Sequence, residues 1–349
     1  MDLAGRGIQG ICNVGNTCYI NASIQCMGHC MHFLKYVLLA PWRSGSGNGS
    51  NGNISEVTLI DELRMVLHAL WIEDHGIIPH RFMGYLVRHM KSIDVREQND
   101  MQEFITLFID KLNQCVAVKL DVPRTLAETP YTDTAIDRMR RKVDASWYRY
   151  MGHEYSPLVD IFYGQSVVQI VCGNCKKLQQ NHEPFSVFLV PIPTHPCELV
   201  QCLHHHVAEE FLNDDAETNG NNNTNNDAWK CDACDKTAKS LKIMKFWRLP
   251  KVLTICLKRF MNNSNKNCVP VRIPEKLDMT SYVIGPVPTM TYTLKSVGCH
   301  VGNFNNGHYF AMCKNPDEYW YVIDDAMTHK LEKEFRCPDT AYMAFYEME

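Results

Sequence analysis

The chain has 349 residues, 45% hydrophobic and 21% charged, which excludes a collagen, a coiled coil or wholesale disorder. With 35 Lys and Arg against 39 Asp and Glu, the formal charge is −4, so no basic field points to nucleic acid or an anionic membrane as partner. The 16 cysteines read as reduced thiols, because a chain of this length does not need the disulfide staples of a small secreted domain.

The first 15 residues carry no apolar h-region, and the apolar stretch Phe33 to Trp42 is interrupted by Lys35, so neither a signal peptide nor a spanning helix is expected. A cytoplasmic and/or nuclear protein follows as the expectation. From Cys18 to Leu39 the residues Ile20, Ile24, Met27, Met31, Leu34 and Leu38 recur at helical steps, and Asn16 or Thr17 is placed to cap the helix they form. Residues 44–53 contain only Ser, Gly and Asn and read as a flexible insertion. Val57, Ile60, Leu63, Leu67 and Leu70, then Met101, Phe104, Ile105, Phe108 and Leu112, repeat the helical pattern, so the first 120 residues are predicted mainly helical.

From Asp160 the texture changes to β-rich runs at Ser166–Val171, Phe185–Ile192, Val252–Phe260, Met290–Val297, His308–Cys313, Tyr319–Ile323 and Tyr342–Tyr346. An Asn-rich insertion occupies 213–227. A helical half followed by a strand-rich half predicts an α+β fold with an antiparallel sheet.

Two constellations carry chemistry. Cys172-x-x-Cys175 and Cys231-x-x-Cys234 are paired knuckles whose four thiolates can close a tetrahedral site, and full occupancy by Cys makes the expected metal structural, one Zn²⁺ per chain. The alternative is two unrelated thiol pairs. His204, His205 and His206 beside the Asn-rich stretch read as a solvated loop. Cys18 stands where a helix begins, a setting in which thiol pKa values fall to about 3.5–7.5 from roughly 8.5; Cys12, Cys26 and Cys30 are its neighbours without that placement. Far downstream, His308 opens one strand-like run and Asp324-Asp325 closes another, so a carboxylate can fix the imidazole that deprotonates a thiol.

The segment Gly10-Ile-Cys-Asn13-Val-Gly-Asn-Thr-Cys18-Tyr-Ile-Asn-Ala-Ser-Ile-Gln25 resembles the cysteine box of the ubiquitin-specific proteases. Gln98-Asn-Asp100-Met-Gln-Glu103-Phe104, Leu249 to Phe260, the His308 to Asp325 box and the closing Ala341 to Tyr346 are similar to that family's other blocks, in the same order across essentially the whole chain. The resemblance implies a papain-like cysteine peptidase fold: a helical thumb at about 1–155, and a palm with zinc-bearing fingers at about 156–349, the fingers around 165–180 and 228–248. It implies Cys18 as nucleophile, His308 as base, Asp324 as orienting acid with Asp325 a helper, and Asn13 as oxyanion donor.

The family cleaves after ubiquitin's Arg-Leu-Arg-Gly-Gly tail, so ubiquitin and ubiquitinated proteins are the implied partners, with an activating protein partner a further expectation. Asp100 and Glu103, three apart on the predicted helix, share a face, and the resemblance implies that they meet the tail's arginines and that Tyr309 helps enclose the Gly-Gly segment. Met101 departs from the family's usual Ala and bears on how that helix packs. The alternatives are an inactive or partner-dependent ubiquitin-binding scaffold of the same fold, and a peptidase for another ubiquitin-like modifier.

Overall fold

The structure is a computed structural model that describes residues 2–40, 58–118, 134–152, 154–212, 229–260, 265–286, 289–303, 306–332 and 334–349; both insertions read from the sequence, 44–53 and 213–227, lie outside the described residues.

Helix α1 (Cys18–Gly28) is buried at every position. A helix enclosed all round needs partners for its polar side chains, and three of its donors find them: Asn21 Nδ2 donates to the Ile11 carbonyl, Gln25 Nε2 to the Gln9 carbonyl and Ser23 Oγ to the Tyr19 carbonyl. The single helix expected to Leu39 is broken at His29–Cys30, after which α2 (Met31–Leu39) starts afresh. Its first N–H groups need an acceptor, and Glu347 supplies one for His32 N at 2.6 Å. Helices α3 (Leu59–His68), α4 (His80–His89), α5 (Met101–Val116), α6 (Ala135–Met151) and α7 (Pro157–Phe162) complete the helical half.

The strand-rich half runs β1 (Gly164–Val171), β2 (Leu178–Phe185), β3 (Phe188–Val190), β4 (Cys197–Glu198), α8 (Leu199–Val207), β5 (Glu210–Leu212), β6 (Ser240–Arg248) and β7 (Val252–Leu257). It continues with β8 (Val271–Arg272), β9 (Lys276–Asp278), β10 (Thr291–Gly302), β11 (Gly307–Lys314), β12 (Trp320–Asp324), β13 (Met327–Lys330) and β14 (Ala341–Met348). One sheet has the order β2-β1-β6-β5; the larger has β13-β12-β11-β10-β14-β7-β3, with β9 against β10. Pairing in the larger sheet is antiparallel except for β3 beside β7, in line with the expected antiparallel sheet.

The larger sheet is buried on both faces, so its inner strands read as unbroken apolar runs rather than alternating ones. Cys256, Met343 and Phe345 face α1, α5 and α7, while Leu253, Ile255, Leu257, Ala344 and Tyr346 face α8 and β6. Each such Leu, Ile or Phe contributes roughly 1.5–3 kcal/mol of burial. His204, His205 and His206, expected in a loop, form the last turn of α8 instead; Cys202, Leu203 and Val207 turn inward and hold the helix to the sheet. Among the described residues no helix is long and apolar enough to cross a membrane.

Met101 is accommodated without displacing α5, because the residue facing it on β10 is glycine: a Cβ at Gly298 would lie 2.6 Å from Met101 Cε. Met101 is fully buried. Gly298→Ala should therefore lower stability by about 1–3 kcal/mol through overpacking, and much less in a Met101→Ala background; urea unfolding of the two singles and the double mutant reads that coupling.

Candidate active site

Residues 13, 18, 308, 324 and 325 come together where the start of α1 meets the β11–β12 hairpin. Thr17 is the N-cap of α1 but makes no side-chain cap bond; its hydroxyl donates to Asn13 Oδ1 and accepts from Val14 N. The Asn13 oxygen also takes the backbone N–H groups of Gly15 and Thr17, so the loop before α1 is wound around one side chain. The Asn13 amide then donates to Asp325 Oδ2 at 3.0 Å.

Asp324 ends β12 and Asp325 follows in the left-handed region at φ 49°, which Asp tolerates better than most residues. The two adjacent carboxylates serve different partners. Asp324 Oδ1 lies 2.5 Å from His308 Nε2, leaving Nδ1 as the ring's other nitrogen, while Asp325 accepts from Asn13 and, at 2.8 Å, from Asn21 Nδ2. Its carbonyl accepts from Ile11 N. That approach needs Gly10, since a Cβ there would lie 2.4 Å from the Asp325 carbonyl oxygen.

Cys18 is 5% exposed. Burial pushes its thiol up from the ordinary value; the N–H groups of Tyr309, Tyr19 and Cys18 pull it down, and the Asp325 carboxylate adds to the rise. The lowered value expected from the helix start is thus overturned: the backbone groups are present, but desolvation outweighs them. No hydrogen bond joins the Cys18 sulfur to His308; the sulfur is met instead by backbone N–H groups, among them that of Tyr309, the residue beside that histidine.

A cleft of about 650 Å³ opens beside this point, lined by Arg96, Glu97, Gln98, Glu103, His300 and Tyr309 among others. Asp100 and Glu103 both line this cleft, but their carboxylates are used differently. Asp100 is the N-cap of α5, with Oδ1 accepting from Gln102 N and Glu103 N and Oδ2 from the hydroxyls of Tyr309 and Tyr342; only Glu103 is turned to solvent. Tyr309 is buried, with its ring centroid 4.5 Å from that of His300. Asp100→Ala should therefore act on stability, by about 1–3 kcal/mol, whereas Glu103→Lys, at an exposed position outside that network, should leave the thermal midpoint in place.

Two further residues of this cleft were not singled out by sequence reasoning. Gln98 spans to Gly307: its Nε2 donates to the Gly307 carbonyl at 2.9 Å and its Oε1 accepts from Gly307 N at 3.1 Å. His300 is 3% exposed with Nδ1 unpartnered, and burial, Lys266 and His308 together push it down to about 4, so it is neutral at pH 7. Its only sequence signal is its place eight residues before His308, across a Gly/Asn-rich turn.

The four knuckle cysteines converge at the end of the smaller sheet. Lys176 and Asp235 both adopt positive φ after the second Cys of their knuckle and return N–H bonds to the first, Lys176 N to the Cys172 carbonyl and Asp235 N to the Cys231 carbonyl. The Cys172–Cys234 and Cys175–Cys231 sulfurs are each 3.8 Å apart, and all four lie within 4.8 Å of one another. Four sulfurs at roughly 2.3 Å from one tetrahedral centre are separated by about 3.8 Å, so the cluster can hold a metal ion.

A two-sided core around an antiparallel sheet, with a thiol at a helix start beside a His–Asp pair, defines a papain-like fold. The chain belongs to the ubiquitin carboxyl-terminal hydrolase family, whose family model matches residues 9–346. It is 29% identical over 374 residues to ubiquitin carboxyl-terminal hydrolase 5 of Saccharomyces cerevisiae, covering 97% of this chain and 44% of that protein. To Usp2 of Drosophila melanogaster it is 28% identical, covering 99% and 35%, and to human ubiquitin carboxyl-terminal hydrolase 2 it is 25% identical, covering 99% and 56%. The chain thus spans between about a third and just over half of these relatives. Among solved structures it is similar to the SAGA DUB module of Ubp8, Sgf11, Sus1 and Sgf73 bound to monoubiquitin, with a TM-score of 0.70 and 21% identity over 100% of this chain and 71% of that one; at that identity the likeness is one of fold.

Proposed function

We propose that this chain is a single ubiquitin-specific protease catalytic domain that hydrolyses the isopeptide or peptide bond after the C-terminal glycine of ubiquitin on conjugated proteins or chains. The observation that carries the reading is the convergence of Asn13, Cys18, His308 and Asp324 from opposite ends of the chain. Thumb, palm and fingers are the helical half to about 155, the larger sheet and the knuckle-bearing sheet.

In this reading His308, oriented by Asp324, takes the Cys18 proton, and the thiolate attacks the glycine carbonyl. One amide hydrogen of Asn13 is committed to Asp325; the other, with the Cys18 N–H, receives the oxyanion. His308 returns the proton to the leaving amine, and water hydrolyses the thioester. Glu103 meets a basic tail from solvent, Asp100 acts by holding Tyr309 and the start of α5, and Tyr309 backs the narrow end of the cleft. Cys172, Cys175, Cys231 and Cys234 hold one structural Zn²⁺, which fastens the fingers and leaves no position for substrate.

An activating partner fits a buried resting thiol that makes no bond to His308, and the solved Ubp8 module is seen with three companion subunits. A cytoplasmic or nuclear setting fits 16 free cysteines.

The test is reaction with ubiquitin carrying a C-terminal electrophile, read by intact mass and peptide mapping. One adduct on Cys18, absent from Cys18→Ala, is expected. A folded, zinc-loaded chain that gives no adduct with ubiquitin but gives one with another modifier would move the activity to that modifier, the second reading left open by a shared Gly-Gly end.

A further inference from the structure

Cys197 and Cys202 stand apart from both constellations. Cys197 lies in β4, half-buried, and is held in place by its parallel pairing with Val271 and by its N–H bond to the Pro270 carbonyl. Glu198 caps α8, with its own N–H donating to Gln201 Oε1 at 2.8 Å. The cap fixes the angle at which strand passes into helix, and it brings Cys202, buried in the first turn, back over Cys197. Their sulfurs are 3.2 Å apart, closer than either finger pair at 3.8 Å.

Two reduced thiols this close have two chemical uses, and the surroundings separate them. A soft metal ion in a structural site takes four ligands; among the described residues no third His, Cys, Asp or Glu atom joins this pair, whereas the finger cysteines form such a group. A disulfide asks only that the sulfurs close to about 2.05 Å, on a strand–helix junction that already sets both backbones.

We propose that Cys197 and Cys202 are an oxidisable dithiol, a modification site that takes a low-molecular-weight disulfide such as glutathione disulfide as its oxidant and closes to an intramolecular disulfide. Cys197, reachable from solvent, attacks one sulfur of the oxidant as its thiolate; the oxidant's S–S bond breaks and one glutathione leaves as thiol. Cys202 then loses its proton, attacks the Cys197 sulfur and expels the second glutathione. Two electrons and two protons pass from the protein to the oxidant, giving one protein disulfide and two glutathiones. The order of attack follows from exposure. Cys202 is 3% exposed, and burial together with its neighbour Cys197 pushes its thiol up to about 12, so it resolves rather than initiates. Neighbours already in contact make the second step intramolecular, which distinguishes Cys197 from the exposed Cys268.

The test treats the zinc-loaded full chain with glutathione disulfide, quenches with N-ethylmaleimide and maps peptides without reduction. Trypsin isolates Cys197 and Cys202 together, since no Lys or Arg separates Lys177 from Lys230 and no other Cys lies between them. The expected peptide is lighter by about 2 Da and takes no maleimide. Cys202→Ser should stop the reaction at an adduct of about 305 Da on Cys197, and Cys197→Ser should leave Cys202 taking maleimide only. The proposal is overturned if, with Cys268 carrying glutathione, the wild-type peptide takes two maleimides or two glutathiones. This outcome is independent of whether the chain acts on ubiquitin.

Discussion

Cys18→Ala is expected to abolish the proposed hydrolysis of a ubiquitin amide while leaving ubiquitin binding in place, with kcat/KM falling by about 10³–10⁶-fold, the range seen when a catalytic nucleophile is removed. The sulfur is nearly enclosed and α1 is buried at every position, so removing one atom changes neither the cleft walls nor the residues that line them. Titration of labelled ubiquitin against wild type and variant measures the binding half, and a fluorogenic ubiquitin amide measures the chemical half. Turnover within tenfold of wild type would remove Cys18 from the mechanism. The raised thiol adds a pH signature. A neutral Cys18 is favoured in the free protein, so its alkylation by iodoacetamide should still be climbing above about pH 8.5, where an ordinary thiol is half ionised. If bound ubiquitin aligns His308 with the sulfur, the thiolate forms at lower pH and that rise moves down.

Cys231→Ser should release the metal and loosen the fingers. Protein purified without chelator is expected to carry about one Zn²⁺ per chain, and the variant close to none, by atomic absorption. Structural zinc supplies about 10–16 kcal/mol of binding free energy in isolated finger peptides, an upper limit here because β1, β2 and β6 also pair through their own ladders. The cost should be local: earlier proteolysis near the knuckles and a lower first thermal transition, with the α1–β11 region keeping its protection. Wild-type protein free of zinc yet equally protease-resistant would refute the metal's structural role. Cys197→Ser should leave zinc content unchanged, since that pair lies outside the cluster.

What the sequence made legible was whatever repeats at short range or has a fixed spacing. The apolar steps from Ile20 to Leu38 announced helix, and the knuckle spacing announced a four-sulfur cluster. What it hid depends on tertiary context. The break at His29–Cys30 carries no Pro or unusual Gly signal beyond Gly28, because the new helix is started by Glu347, 315 residues away from His32. β2, Leu178–Phe185, alternates exposed and half-buried positions with little apolar content, so periodicity could not find it. Asp100 illustrates the same limit within the site. Spacing placed it on a helix face with Glu103, but its carboxylate is consumed by two N–H groups and two tyrosine hydroxyls, one of them from β14 at Tyr342. Cys18 does begin a helix, as the apolar steps imply, yet the burial that pushes its thiol up is invisible in a sequence.

The bond from Asn13 to Asp325 crosses 312 residues, and Asn21 reaches the same carboxylate across 304. A chain emerging from the ribosome therefore has its thiol long before it has His308, the carboxylates or the anchor for the Asn13 amide. Contacts so distant in sequence close late in folding, and synthesis at about 5–20 residues per second separates the two ends by tens of seconds at the slow limit. Under the proposed function the nascent chain is thereby held harmless, since no copy short of Asp325 brings Cys18, His308 and Asp324 together. A single backbone cleavage that lets the halves part would extinguish the assembled group at once, without touching any residue within it.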